Sequence, residues 1–93
     1  MHEPEHITET QKQFIADNFG NTERGLVRTA KNLGLQAMSD SDVVRHCHKI
    51  ILSTPIQAVE IRGKNYYFNS QEYLAVLTIN KSSLGIITAK RYR

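Results

Sequence analysis

The hydrophobic period of this chain changes at Pro55, and no other feature of the sequence narrows the fold so much. Apolar residues recur at helical intervals before it and alternate with polar ones after it. Thr8 with Gln11 three residues on has the form of a capping box, and Ile7, Phe14, Ile15 and Phe19 supply a sparse apolar stripe. Together they predict a helix over about 8–18. Gly20 and Asn21 break it, and Thr22 is placed to cap the next segment, "ERGLVRTAKNLGL". There Leu26, Val27, Ala30 and Leu33 share one face, Arg24, Arg28 and Lys31 project from the other, and Gly34 stops the helix. In "MSDSDVVRHCHKIILSTP" Ser39 or Ser41 supplies the cap, and Asp40 and Asp42 complement the positive end of the helix dipole. Val43, Val44, Cys47, Ile50 and Ile51 form the buried face.

Beyond Pro55 the runs "IQAVEIR", "KNYYFN", "EYLAVLTIN" and "LGIITAKR" predict four strands. Their connections suit an antiparallel meander: Gly63 beside Lys64 permits a tight hairpin, and "NSQ" and "NKSS" are turn chemistry. Helices gathered ahead of a sheet indicate an α+β fold. The expectation is one domain over 1–93, with a disordered tail at 1–6, a helical layer over 8–52 and an antiparallel sheet over 56–91.

Composition sets the class. With 40% apolar and 23% charged residues in 93, the chain suits one small globular domain. Cys47 has no second cysteine to pair with, so packing must hold the fold, and the thiol is expected as a core filler in a reducing compartment. The start, "MHEPEHITETQ", lacks the apolar run of a secretory signal, and no apolar stretch is long enough to span a bilayer. A cytoplasmic protein with no membrane partner is expected. The net charge of +3 is unevenly spread. Glu3, Glu5, Glu9, Asp17 and Glu23 face only Lys12 in the first 23 residues, while the remainder holds 11 cations and 4 anions. A basic body behind an acidic lead-in favours an acidic partner such as RNA.

Strand alternation separates two sheet faces. Val59, Ile61, Tyr66, Phe68, Ala75, Leu77, Ile79, Ile87 and Ala89 form the set expected beneath the helices. The other set holds Glu60, Arg62, Asn65, Tyr67, Asn69, Val76, Thr78, Asn80, Ile86, Thr88 and Lys90. Threonine and tyrosine are good strand formers in any sheet. Together with amides and cations they also donate hydrogen bonds to phosphate and stack on bases.

The pair in "RHCHK" does not predict a metal site. Residues two apart diverge by about 200° around a helix, so His46 and His48 cannot chelate one ion together. Each histidine suits either a packed place at the helix rim or proton transfer near neutral pH. There is no P-loop, GxGxxG or GxSxG motif, and no cofactor is expected.

The segments "GLVRTAKNLGL", "DVVRHCHKIIL", "GKNYYF" and "LTINKSSLGIITAKR" resemble a small bacterial and phage-associated family, domain of unknown function 3781. Arg28, Asn32, Leu33, Cys47, Gly63, Lys64, Asn65, Thr78, Asn80, Thr88 and Ala89 match its pattern, over roughly residues 23 to 90. The position after Ile-Ile-Thr-Ala is often histidine in that family and is Lys90 here. The element order is also similar to that of the metal-independent ribonucleases that include barnase, colicin domains and RelE toxins. That likeness implies RNA binding, with cleavage by attack of a ribose 2′-hydroxyl on its phosphate. His46, His48, Lys64, Tyr67 and Lys90 are then the candidate catalytic groups, and Arg62, Asn65, Thr78, Asn80, Thr88 and Arg91 the candidate RNA contacts. An antitoxin or host protein is the further partner such a toxin implies. The alternative is a binding module or inhibitor that acts through its polar sheet face without catalysis.

Overall fold

The computed structural model describes residues 7–20 and 22–91, so the tail expected at 1–6, with His2 and His6, lies outside the described residues. Three helices come first: α1 (Glu9–Asn18), α2 (Glu23–Leu33) and α3 (Asp40–Ser53). Four strands follow: β1 (Val59–Arg62), β2 (Asn65–Ser70), β3 (Ala75–Asn80) and β4 (Ile86–Arg91). Neighbours in sequence pair antiparallel, in the order β1-β2-β3-β4. This is an α+β fold with three helices packed on a four-stranded meander. Among the described residues no helix is long and apolar enough to cross a membrane.

Side-chain caps set the helix boundaries. Thr8 Oγ1 accepts from the Gln11 amide at 3.0 Å while Gln11 Oε1 accepts from the Thr8 amide at 2.9 Å, completing the capping box. Thr22 caps α2, which ends at Gly34 with a left-handed φ of 72°. Ser39 rather than Ser41 caps α3, its Oγ accepting from the Asp42 amide at 3.2 Å. No cation lies in the last turn of α3. Lys12 of α1 takes that role from outside, donating to the carbonyls of Leu52 at 3.2 Å and Thr54 at 3.0 Å.

One core joins the layers. Val43, Cys47, Ile50 and Ile51 of α3 share a cluster with Val59, Phe68, Ala75, Leu77, Ile79, Ile86 and Ala89 of the sheet, with Ile15 and Ala16 of α1, with Leu26 and Leu33 of α2, and with Ile7. Cys47 is fully buried there, and burial pushes its thiol up to about 12. A thiol so far from ionisation is a core filler, not a nucleophile.

Helix α2 lies along β4, not over the middle of the sheet. It approaches so closely at Gly25 that a Cβ there would overlap the carbonyl oxygen of Ile86. This contact rotates the helix. Gly25, Leu26, Thr29 and Leu33 turn inward, and Val27, expected on the apolar face, is 61% exposed. Phe14, expected in the α1 stripe, is likewise 59% exposed.

Three sheet boundaries differ from the alternation pattern. Residues Ile56–Ala58 form a 3-10 turn closed by the Ala58 amide on the Pro55 carbonyl at 2.8 Å, so β1 starts only at Val59. Residues 71–74 are turn, with Leu74 at a φ of 52°, and β3 starts at Ala75. In β4 a register shift opposite Thr78 and Ile79 inserts one extra residue. Thr88 pairs with Thr78, but Ile86 pairs with Ile79. The bulge therefore buries Ile86, 2% exposed, and leaves Ile87 37% exposed, reversing the expected assignment of the two.

Candidate nucleic-acid interface

Register places the polar set in three cross-strand rows on the face turned away from α3. Glu60, Tyr67, Thr78 and Thr88 form the central row. Arg62, Asn65 and Asn80 form a second, and Asn69, Val76 and Lys90 a third. The central row has a half-buried tyrosine over a threonine floor, with Thr78 only 6% exposed. The Arg62 guanidinium lies 4.2 Å from the centre of the Tyr67 ring and 3.4 Å from the carboxylate of Glu60. Glu60 is the one acid in the four strands. Arg62 thus presents a cation over an aromatic ring, a surface beside which a nucleobase can stack.

Several polar groups of these rows are tied into the fold. Asn80 Oδ1 accepts from the amides of Ser82 and Ser83, both at 2.9 Å, and so builds the β3–β4 turn. Asn69 donates to the Ala58 carbonyl at 2.7 Å. Arg91 belongs to the opposite side chain set and donates to the Leu33 carbonyl at the end of α2, 3.3 Å away. Lys64, in the β1–β2 hairpin beside Gly63 with its φ of 57°, is exposed at one end of the sheet.

Helix α2 adds residues that strand alternation alone does not bring to this face. Asn32 Nδ2 donates to the Ala89 carbonyl at 2.8 Å and to Thr88 Oγ1 at 3.3 Å, so this flank of the helix adjoins the polar face. Arg28 and Arg24 stand one and two turns before Asn32 on the same flank. They line a groove of about 180 Å³ with Gly85, Ile86 and Ile87 of the β3–β4 hairpin and β4. Two guanidinia therefore border the threonine row on one side and Arg62 stands on the other. The spacing of Arg24, Arg28 and Asn32 was the signal available in the sequence.

The histidines are elsewhere. His46 and His48 ride on α3, whose core residues pack on the apolar face, so the sheet separates them from Tyr67, Thr78 and Thr88. His48 Nε2 is 3.8 Å from Asp17 of α1. His46 packs edge-on against Tyr73 at 5.2 Å and shares a groove with Asp42, Arg45 and Lys49. Burial, and then the charge of Lys49, lower its pKa below the usual 6.5. A histidine held neutral in the fold favours the native state above the unfolded pKa and loses that advantage as pH falls through the lowered folded value. The melting temperature is accordingly expected to fall between about pH 7 and 5. His46→Gln should flatten that slope. An unchanged slope in thermal melts of the variant would mean that other groups set it.

The geometry is consistent with the segments that carry the family resemblance. Asn32 meets Thr88 and Ala89, and Cys47 shares one core cluster with Phe68 and Leu77. The family described as protein of unknown function, DUF3781, matches residues 13–90. The chain belongs to that family. No curated protein and no solved structure matches the chain, so no structural neighbour joins this member of DUF3781 to the barnase, colicin and RelE ribonucleases.

Proposed function

We propose that this DUF3781 protein is a single-stranded RNA-binding domain that works through the open face of its sheet. The observation that carries the reading is the Arg62–Tyr67 stack, 4.2 Å apart, beside a threonine row bordered on its far side by Arg24 and Arg28. A single strand can place a base on Tyr67 while its backbone runs across the sheet toward the α2 arginines. Thr88, Lys90 and Asn65 supply donors and charge along that path. Duplex RNA fits less well, because its bases are stacked away from an aromatic platform. Cleavage is a narrower form of the reading. On this face its proton transfers would fall to Tyr67 and Lys90, because His46 and His48 are carried behind the sheet.

Fluorescence anisotropy with a labelled oligouridine tests the reading. Tyr67→Ala is expected to weaken binding by about 1–3 kcal/mol, roughly 5- to 150-fold. Arg24→Gln and Arg28→Gln should each flatten the slope of log K against log salt by about 0.7, as counterions are released per phosphate contact. His46→Ala should leave affinity unchanged. Incubation of RNA with the protein reports cleavage separately, through cyclic-phosphate ends. Absence of binding at low salt, or affinity indifferent to Tyr67→Ala, would reject the RNA reading and favour a protein partner on the same face.

A further inference from the structure

Behind the sheet, a groove of about 440 Å³ opens between α1 and the β3–β4 hairpin, within the roughly 300–1,000 Å³ of small-molecule sites. Its walls are apolar and aromatic: Phe14 and Ile15 on α1, Tyr66 on β2 and Leu84 in the hairpin. Its polar groups are few, and one of them, Gln11, has its Oε1 turned to the Thr8 amide. Lys81 supplies an ammonium, and Thr10 and Ser82 supply hydroxyls. No carboxylate lines the groove, and the Lys81 ammonium makes no ion pair among the described residues.

Leu84 provides an independent observation. Its φ of 59° is left-handed, a conformation that glycine or asparagine adopts readily and a leucine rarely does. The backbone is held there from both sides, with the Leu84 amide donating to the Asn80 carbonyl at 2.9 Å and the Gly20 amide donating to the Leu84 carbonyl at 2.8 Å. A glycine at this turn would relieve the strain but would remove a wall of the groove. Backbone strain of this kind clusters at ligand-contacting positions, and Leu84 differs from Leu74, which has a similar φ in the β2–β3 turn, in lining a groove. Phe14, 59% exposed on the opposite wall, is a large apolar side chain that the fold itself leaves uncovered.

We propose that this groove binds a small organic anion with a flat apolar body, of the size and charge of an arylalkyl carboxylate. The body lies between Phe14, Tyr66 and Leu84, and the carboxylate is held by Lys81 with the hydroxyls of Ser82 and Thr10. The site is separate from the RNA-binding face, because Tyr66 and Tyr67 point to opposite sides of β2.

Amide NMR of the isotope-labelled protein, titrated with hydrocinnamate and with its neutral amide, tests the proposal. The carboxylate should give saturable shifts at Phe14, Ile15 and Leu84, and the amide should bind about tenfold more weakly. Lys81→Gln should erase that tenfold difference without lowering the affinity for the amide. Leu84→Gly should weaken both ligands. Equal affinity for acid and amide, shifts outside the groove, or no saturable shift up to about 10 mM would overturn the assignment. Oligouridine affinity, measured with and without hydrocinnamate, should not change, so failure of one site is distinguishable from failure of the other.

Discussion

Phe68→Ala is expected to lower the unfolding free energy by about 3–5 kcal/mol, the largest effect of any single truncation considered. Phe68 is fully buried at the centre of β2, paired with Val59 on one side and Leu77 on the other. It also packs edge-on to Tyr66, with ring centres 6.2 Å apart. Its ring fills the space beneath α3, so removing it costs both the transfer of the ring from water and the cavity left behind. A domain of this size has about 5–15 kcal/mol in total, so the variant loses a large fraction of its stability. Urea denaturation checks this: the midpoint should fall steeply with little change in slope. Phe14→Ala is the control. With its ring mostly in solvent it should cost no more than about 0.5 kcal/mol. A loss below about 1 kcal/mol for Phe68→Ala would mean that the helical layer does not rest on this residue.

Gly25→Val should destabilise by about 2–3 kcal/mol through a different mechanism. Helix propensity alone favours the change, since glycine is among the poorest residues in a helix interior, by up to about 1 kcal/mol. Packing decides the sign. The new Cβ would overlap the Ile86 carbonyl, which belongs to a strand and cannot rotate away as a flexible side chain would. Either α2 lifts off β4 or the strand shifts, and both separate Asn32 from Thr88 and Ala89. The same substitution should therefore weaken oligouridine binding by moving Arg24 and Arg28, whereas Phe68→Ala, in the fraction that remains folded, should not. A stabilised Gly25→Val protein, measured by thermal and urea unfolding, would show that the close approach of α2 to β4 is not needed.

These two residues mark where sequence reasoning succeeds and where it stops. Phe68 is assigned to the core correctly by alternation, because β2 runs without interruption from Asn65 to Ser70. The same alternation fails in β4, where one inserted residue exchanges Ile86 and Ile87. A bulge leaves no periodic trace in a six-residue strand, and only the pairing with β3 reveals it. Val27 fails for a related reason: an apolar residue at helical spacing suits the buried face, but the backbone contact with β4 sets the rotation of α2.

The candidate site divides in the same way. Arg62, Asn65, Tyr67, Thr78, Thr88 and Lys90 are placed on one face by a period of two residues, which any pleated strand obeys. Arg91 and Asn80 resemble ligand-binding groups in sequence, yet their polar atoms serve a helix end and a turn. Nothing local distinguishes the two uses. Arg24 and Arg28 are the reverse case, since their place beside the threonine row depends on which edge of the sheet α2 covers.

From its own residues, then, the chain determines the three helices, their caps, the hairpins and the alternating faces of the meander. Each depends on interactions between groups a few residues apart, whose geometry follows from backbone sterics and hydrogen bonding. Tertiary structure alone decides the bulge in β4, the rotation of α2 and the sorting of cations into free and engaged. It also puts His46 and His48 behind the sheet and the arginines of α2 beside its open face. Those outcomes depend on contacts between residues distant in sequence, 58 positions apart for Leu33 and Arg91, and close packing of a small core decides them.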